Sequence, residues 1–132
     1  MAVVVEEPLD AAALERAVLD ARHGALVTFR GIVRDHDDGR AVTGLDYEAH
    51  PDAAVFLAAC LDRAARPGVR LAAAHRVGSL DVGELALVAV AASAHRAVAF
   101  AACAALVDDI KASVPIWKRQ HFADGTSEWV GL

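Results

Sequence analysis

The chain has 132 residues, the length of one ordinary domain, and 56% of them are hydrophobic, enough for a single sizeable core. Its formal net charge of −5 and pI of about 5.6 exclude the broad basic surface on which general nucleic-acid binding depends. The longest apolar stretch, Leu85 to Ala94, has about half of the roughly 20 residues that a bilayer-spanning helix needs, so it predicts a buried strand instead.

The chain begins with a predicted strand and helix. Val3 to Val5 form a short β-branched run that Pro8 closes, and Asp10 stands where the N-cap of a helix belongs. The predicted helix has its apolar face at Leu14, Val18 and Ala21. His23-Gly24 supplies the stop signal.

The same N-terminal segment bears on location. It carries several acidic residues and has no basic residue before Arg16, which is the opposite of the charged start of a secretory signal. We therefore expect a cytoplasmic protein.

Two strands and a second helix follow. Ala25 to Val33 predicts a strand, in which Gly31 marks a bulge or a close approach. Arg34 to Arg40 is a polar turn and Thr43 to His50 a second strand, so the two strands are predicted to form a hairpin. The next helix is predicted from Pro51 toward Arg66, before Pro67-Gly68.

The C-terminal half is predicted to alternate in the same way. Strands are expected at Val69 to Val77 and Glu84 to Ala92, joined by a loop containing Gly78 and Gly83. The pattern from His95 to Ser113 is helical, with its apolar face at Val98, Ala102, Ala105 or Leu106, and Ile110. The tail reads as a hairpin around Asp124-Gly125. We predict one α+β domain over residues 1–132, with a mixed or antiparallel sheet flanked by about three helices.

Cys60 and Cys103 lie in Ala-rich helical stretches, without zinc spacing or a disulfide framework. Both are interpreted as small buried apolar residues in a reducing compartment. We expect no metal site.

Basic residues gather at the ends of predicted elements. His95 and Arg96 begin the long helix, where free backbone N–H groups favour binding of an anion such as phosphate. The alternative interpretation is that both are merely solvated residues of the first turn. Cations at this end oppose the helix dipole, so helix capping does not explain them. Lys111 suits a last helical turn, so a purely structural role is the stronger interpretation for it alone. Lys118, between Trp117 and Arg119, could lie against an aromatic wall, where desolvation would lower its pKa.

Helical geometry separates these clusters. Arg96 and Lys111 are fifteen positions apart on one predicted helix, which places them roughly 22 Å from each other. One small pocket in one chain cannot easily use both ends. Either the protein has two sites, or a symmetric dimer joins one chain's helix start to the other's helix end.

A series of short motifs, in order and spread over nearly the whole chain from Val3 onward, resembles the catalytic (large) subunit of molybdopterin synthase. These motifs are F-x-G-x-V-R-D (29–35), L-x-Y-E (45–48), H-R-V-G (75–78), G-E (83–84), S-A-H-R (93–96), A-F (99–100), D-x-I-K ending at Lys111, P-I-W-K (115–118) and W-V (129–130). Any one of them is weak evidence, whereas so many in order at compatible spacing form a specific signal.

The resemblance implies a sulfurtransferase that converts cyclic pyranopterin monophosphate to molybdopterin, in molybdenum cofactor biosynthesis. It implies that the sulfur arrives as the C-terminal thiocarboxylate of a small ubiquitin-like partner ending in Gly-Gly. It further implies a heterotetramer built on a central homodimer of large subunits. No cofactor of the chain's own is expected, because the partner supplies the sulfur.

Carried over residue by residue, the resemblance assigns Lys111 and Lys118 as the catalytic lysines. It assigns Phe29 and Arg34 to the substrate pocket. His95 and Arg96 match a substrate-anion site contributed across the dimer. Ammonium groups can hold the thiocarboxylate, stabilise a developing oxyanion and donate protons, while Arg34, His95 and Arg96 would clamp the phosphate.

The chain departs from the family pattern at three places. Gln120 stands where the family usually has Glu, so a charge partner for the lysines is lost or supplied elsewhere. Arg30 occupies a position that is more often small or apolar, and the chain stops at Leu132, where many relatives continue with a polar tail. Gln120 and the short C-terminus motivate an alternative, a non-catalytic adaptor that binds a ubiquitin-like tail. A lysine Schiff-base enzyme, suggested by Lys118 beside Trp117, ranks lowest.

Overall fold

The computed structural model describes all residues 1–132 and contains nine strands and three helices. The helices are α1 (Ala11–Val18), α2 (Ala53–Ala64) and α3 (Arg96–Ser113). The strands are β1 (Ala2–Val5), β2 (Ala25–Ile32), β3 (His36–Asp37), β4 (Arg40–Ala49), β5 (Val69–Arg76), β6 (Gly78–Asp81), β7 (Leu85–Ser93), β8 (Ile116–Phe122) and β9 (Ser127–Gly131). The predicted α+β class with three helices is confirmed. No helix combines the length and apolar character needed to cross a membrane.

The first sheet has the order β1-β5-β7-β2, with β1 and β5 parallel and the other pairs antiparallel. Strand β7 is buried along almost its whole length, as its apolar sequence predicts. Its side chains alternate between two cores: Val88 and Val90 pack in a cluster with α1, whereas Leu87 and Ala89 pack in the larger cluster with α2 and α3. Burial on both faces explains why the strand has no polar alternation.

The second sheet corrects the predicted hairpin between Ala25–Val33 and Thr43–His50. Strand β2 pairs with β7 in the first sheet, whereas β4 lies in the second sheet, between β8 on one edge and β3 with β6 on the other. Strand β9 completes this sheet beside β8, so the predicted tail hairpin is confirmed. The turn signal was correct, but a turn alone does not determine whether the strands it joins pair with each other.

Hydrogen bonds show where the chain changes sheets. The backbone register shifts between Gly31 and Ile32, which is the predicted bulge. Val33 still bonds to the first sheet, donating its N–H to the carbonyl of Glu84 at 3.0 Å. Two residues later the carbonyl of Asp35 accepts the N–H of Val42 at 2.8 Å. Arg34 therefore lies at the crossover between the sheets.

Three smaller predictions also need correction. Helix α1 ends at Val18, because the carboxylate of Asp20 accepts the backbone N–H groups of the two residues that follow Ala21 and forms a turn there. The loop predicted between β5 and β7 contains strand β6, which pairs with β4. On α3 the predicted apolar positions Ala102, Leu106 and Ile110 are confirmed as buried, but Val98 is 39% exposed; six residues of this helix are buried in all. They are Ala99, Ala102, Cys103, Leu106, Val107 and Ile110.

Candidate active site

The sequence contains only two lysines, and the structure brings their charges together. Lys111 lies in the last turn of α3, and Lys118 lies in β8, beyond the turn at Pro115. The pKa of Lys118 is lowered, first by burial and then by the positive charge of Lys111. The two ammonium groups are thus within electrostatic reach of each other, on the same side of the molecule.

The alternation of β8 decides what surrounds Lys118. Its direct cross-strand partner on β4 is Tyr47, which is buried. Gln120, two residues along, lies on the same face and is also buried, whereas Trp117 points to the opposite face and is 46% exposed. The expected aromatic wall is therefore provided by Tyr47 and not by Trp117.

Arg34 is linked to the same region through the carboxylate of Asp37, a residue that the sequence motifs did not indicate as functional. The amide Nε2 of Gln120 donates a hydrogen bond of 2.7 Å to Asp37, and a guanidinium nitrogen of Arg34 lies 3.5 Å from the other carboxylate oxygen. The pKa of Asp37 is lowered, chiefly by the Gln120 hydrogen bond and then by the charges of Arg34 and Lys118, with His36 adding to them. The sequence predicted this polar turn, but it did not indicate that Asp37 is the carboxylate that faces Gln120 and Arg34.

A buried histidine forms the floor next to the lysines. His75, in β5, is 1% exposed, and its ring meets that of Tyr47 edge to face at 4.9 Å. Its Nδ1 lies 2.7 Å from the carbonyl oxygen of Arg76, so Nδ1 carries the donated proton. Burial, together with the charge of Lys111, lowers the pKa of His75 to about 4, which keeps the ring neutral near pH 7. The H-R-V-G motif pointed to this residue without indicating a role.

Phe29 lines an apolar groove between β2 and α3. The groove has a volume of about 360 Å³, and Phe100, Val107 and Asp108 lie on its helical side. Phe29 is paired with Ala89 in the first sheet and so faces α3. Lys111 follows Val107 by one helical turn and lies on the same side of α3, so the groove runs along the helix toward the lysines.

His95 and Arg96 lie at the other end of α3. His95 is the N-cap residue, and its carbonyl accepts the hydroxyl of Ser93 at 2.5 Å, which fixes the start of the helix. Both basic side chains are exposed, neither forms an ion pair, and the first turn contains no acidic residue. The helix is continuous, so roughly 22 Å separates Arg96 from Lys111. A single chain does not bring these two groups together.

A second groove lies on the outer face of the second sheet, away from the lysines. Its volume is about 420 Å³ and its walls include Trp117 and Trp129, the latter 50% exposed. Strand alternation places these indoles on the face opposite Lys118 and Gln120. The groove therefore takes no part in the lysine site.

Neither cysteine is placed for nucleophilic chemistry. Cys60 and Cys103 are free and buried, and burial raises the pKa of both thiols. Cys103 is among the residues that line the Phe29 groove, and its Sγ lies 3.7 Å from the carbonyl oxygen of Ala89. No group of three or more His, Cys, Asp or Glu side chains is arranged to hold a metal ion.

The arrangement as a whole is suited to an anionic guest with an apolar part. Around Lys118, the charges of Lys111 and Arg34 are opposed by one carboxylate, that of Asp37, so the local charge is positive although the chain is acidic overall. The partly desolvated ammonium group of Lys118 binds an anion more strongly than an exposed one and can also donate a proton, whereas the ammonium group of Lys111 is exposed. An extended or flat apolar group would fit the adjoining groove.

Comparison with known proteins identifies the family. The model for the MoaE protein family matches residues 4–113. The molybdopterin synthase catalytic subunit 1 of Mycobacterium tuberculosis is 40% identical over 133 residues, covering 97% of this chain and 88% of that protein. The molybdopterin synthase catalytic subunit of a Nostoc species is 38% identical over 129 residues, covering 95% of this chain and 78% of that protein.

A solved structure agrees with these sequence relatives. The crystal structure of molybdopterin synthase from Staphylococcus aureus superposes with a TM-score of 0.91 at 32% identity, and the match covers 98% of this chain and 96% of that one. The match thus extends from the first strand to the tail hairpin, and the lysine site lies within it. The chain belongs to the MoaE family, that of the catalytic subunits of molybdopterin synthase, enzymes of molybdenum cofactor biosynthesis.

Proposed function

We propose that this chain binds cyclic pyranopterin monophosphate and the thiocarboxylate tail of a small ubiquitin-like carrier in one cationic pocket, and that it transfers sulfur between them. The observation that carries this proposal is the convergence of Lys111 and Lys118 with Arg34, next to the groove lined by Phe29. The pterin and the peptide tail both bring negative charge and both need an ordered, partly desolvated site.

The lysines are assigned to the sulfur transfer itself. The thiocarboxylate sulfur attacks an electrophilic carbon of the pterin precursor, forming a C–S bond while the C–O bond breaks and a hydroxyl group takes up one proton and leaves as water. Water then cleaves the resulting thioester, which leaves the sulfur on the pterin and a carboxylate on the carrier. Lys118 is suited to donate the proton because its pKa is lowered, and Lys111 is suited to hold the anionic tail. Two sulfurs require two carrier molecules in turn.

The phosphate of the precursor is assigned to arginine and histidine. Arg34 stands beside Lys118 and can form paired hydrogen bonds to phosphate oxygens. His95 and Arg96, with the free N–H groups of α3, form a second cationic cluster without a carboxylate partner. Because roughly 22 Å separates the two ends of α3, we propose that this cluster serves the lysine site of a neighbouring copy.

The assembly that follows is a homodimer of this chain, with one carrier protein bound to each copy in a heterotetramer. The chain needs no metal or organic cofactor of its own in this scheme, because the carrier supplies the sulfur. The two free, buried thiols accord with a cytoplasmic location, where thiols stay reduced.

The decisive experiment is molybdopterin synthesis in vitro from the precursor, the thiocarboxylated carrier and this chain. We expect product from the wild-type chain and a large loss with Lys111→Ala or Lys118→Ala. Full turnover by both variants would remove the assigned roles. Tail binding without product would favour the alternative, a non-catalytic adaptor.

A further inference from the structure

Asp37 is the one carboxylate whose charge raises the pKa of Lys118, against the opposing charges of Lys111 and Arg34. It belongs to a two-residue strand, β3, on the edge of β4. Its two carboxylate oxygens have different partners, Arg34 on one and the amide of Gln120 on the other. Asp37 thus contacts Arg34 directly and is hydrogen-bonded to β8, the strand that carries Lys118.

The side chain of Gln120 is buried in the core and is not exposed at the surface. It is 4% exposed, and its cross-strand partner on β4 is Leu45, a buried residue. A buried amide needs a hydrogen-bond partner, and its Nε2 donates to Asp37 at 2.7 Å. The bond joins residues 83 positions apart and fixes the carboxylate relative to β8. Because strand β8 alternates, Gln120 and Lys118 project from the same face.

We propose that Asp37 is a positioning residue of the active site, a counter-ion held by Gln120 that sets the charge of the pocket and orients Arg34 and Lys118. Position 120 carries the amide of this pair and Asp37 carries the carboxylate. Because carboxylate and amide have nearly the same shape, the exchanged pair is expected to preserve the contact. The inference rests on the proposed function, and it names a residue which that function did not assign.

The charged and titratable groups around the pair come from every neighbouring element. Arg34 comes from the crossover, His36 from β3, Lys118 from β8 and Lys111 from the end of α3. His75 of β5 is within electrostatic reach of Lys111 and stays neutral near pH 7, since its pKa is about 4. A change in the titration of Lys118 after substitution of Asp37 is therefore interpretable, provided that Lys111 is followed in the same experiment.

The test uses three variants of the full chain: Asp37→Asn, Gln120→Glu and the double variant with both changes. Asp37→Asn removes the counter-ion, Gln120→Glu places two carboxylates in contact, and the double variant restores one carboxylate and one amide in exchanged positions. Asp38→Asn is the matched control, because Asp38 is exposed, and its φ of 49° is one that Asn tolerates.

Two measurements separate this inference from the proposed function. The first is turnover with precursor and thiocarboxylated carrier. The second is NMR titration of chain labelled with ¹³C at the lysine ε position, which gives two lysine signals because the chain has two lysines. The titration needs no substrate, so it tests the counter-ion even if the chain proves to have a different reaction.

We expect Asp37→Asn to lower turnover about tenfold or more and to lower the pKa of Lys118 further, because the counter-ion is lost. We expect Gln120→Glu to raise the pKa of Lys118 and also to slow turnover. The double variant should recover to within about threefold of the wild-type rate, and Asp38→Asn should match the wild type. A wild-type rate and an unmoved Lys118 signal in Asp37→Asn would overturn the inference. So would a double variant that is no faster than the slower single variant while its fold, checked by circular dichroism, is intact.

Discussion

Tyr47 and Lys118 face each other directly across strands β4 and β8, so that the phenol ring and the lysine stem share one face of the second sheet. The Tyr47 ring also meets the ring of His75 edge to face, and His75 lies near Lys111. Lys118 therefore stands over a buried aromatic layer. That layer excludes water from one side of the site, which is why burial is the largest cause of the lowered pKa of Lys118.

Replacing either lysine by alanine should lower turnover by about 100-fold or more, the usual contribution of a positioned proton donor or oxyanion-stabilising cation. Arg119→Ala is the matched control, because Arg119 is the neighbouring cation on β8 and projects from the opposite, exposed face. Single-turnover rates with thiocarboxylated carrier would measure the effect. Equal losses in Arg119→Ala and Lys118→Ala would mean that general charge, and not position, matters.

The pH dependence of turnover should follow Lys118. Its pKa lies below the usual lysine value, and its protonated form is the one that donates. The rate should therefore fall as the pH rises through this lowered pKa, at a lower pH than an exposed lysine would give. Lys118→Arg keeps the charge but cannot release a proton in this range, so it should be slow and lack that alkaline limb. A rate that is flat up to the ordinary lysine range would contradict the assignment.

Acid should destabilise the fold through His75. Its pKa is about 4 in the folded chain against an ordinary 6.5, so the unfolded state takes up a proton first as the pH falls. Stability contributed by the neutral ring is complete above about pH 6.5 and is lost between pH 6.5 and 4, a change of about 3 kcal/mol. Urea unfolding at several pH values would measure it. In His75→Asn, which keeps a donor near Nδ1, this part of the pH dependence should disappear; an unchanged slope would refute the account.

Mixing two inactive variants should test the proposed sharing of sites between copies. Arg96→Ala removes the cluster at the start of α3, and Lys118→Ala removes the lysine site. If each site combines the two from different chains, a mixed dimer has one intact site and one doubly defective site. Random mixing should then recover about a quarter of the wild-type activity. No recovery after verified subunit exchange would show that each chain uses only its own residues.

The cysteines should be dispensable for sulfur transfer. Cys60→Ala with Cys103→Ala should retain turnover, because both thiols are buried with raised pKa and the sulfur arrives on the carrier. The small cavities left behind should cost about 1 kcal/mol each in the free energy of unfolding. Loss of product in a variant whose thermal unfolding is only slightly shifted would indicate a protein-bound sulfur intermediate on this chain.

The sequence predicts elements better than it predicts their partners. The N-cap Asp10, the bulge at Gly31 and the tail turn at Gly125 depend on local chemistry, and each is found as expected. Pairing of β2 with β7 depends on contacts between distant segments, so a hairpin with the next strand was the wrong inference. The Ala-rich α3 has no sharply apolar side, which explains why Val98 was wrongly assigned to the buried face.

The candidate site shows the same division. Lys111, Lys118, Phe29 and Arg34 could be named from motifs, and the structure places them in one region. Asp37 could not be named, because its role depends on a hydrogen bond to a residue 83 positions away. His75 belongs to the H-R-V-G motif, but the sequence indicated no role for it; its burial beside Tyr47 is seen only in the structure. The residue types that gather at the site could be named from the sequence, whereas contacts that depend on the tertiary structure could not.

The crossover at Arg34 makes the short run from Phe29 to Arg34 intolerant of insertions and deletions. Phe29 is fixed by the register of β2 with β7, and Val33 is tied to Glu84 just before the chain leaves the first sheet. One residue more or fewer would turn one of the two side chains to the wrong face, because strand side chains alternate. Length variation among related chains should therefore accumulate in the loop after this run and spare the run itself.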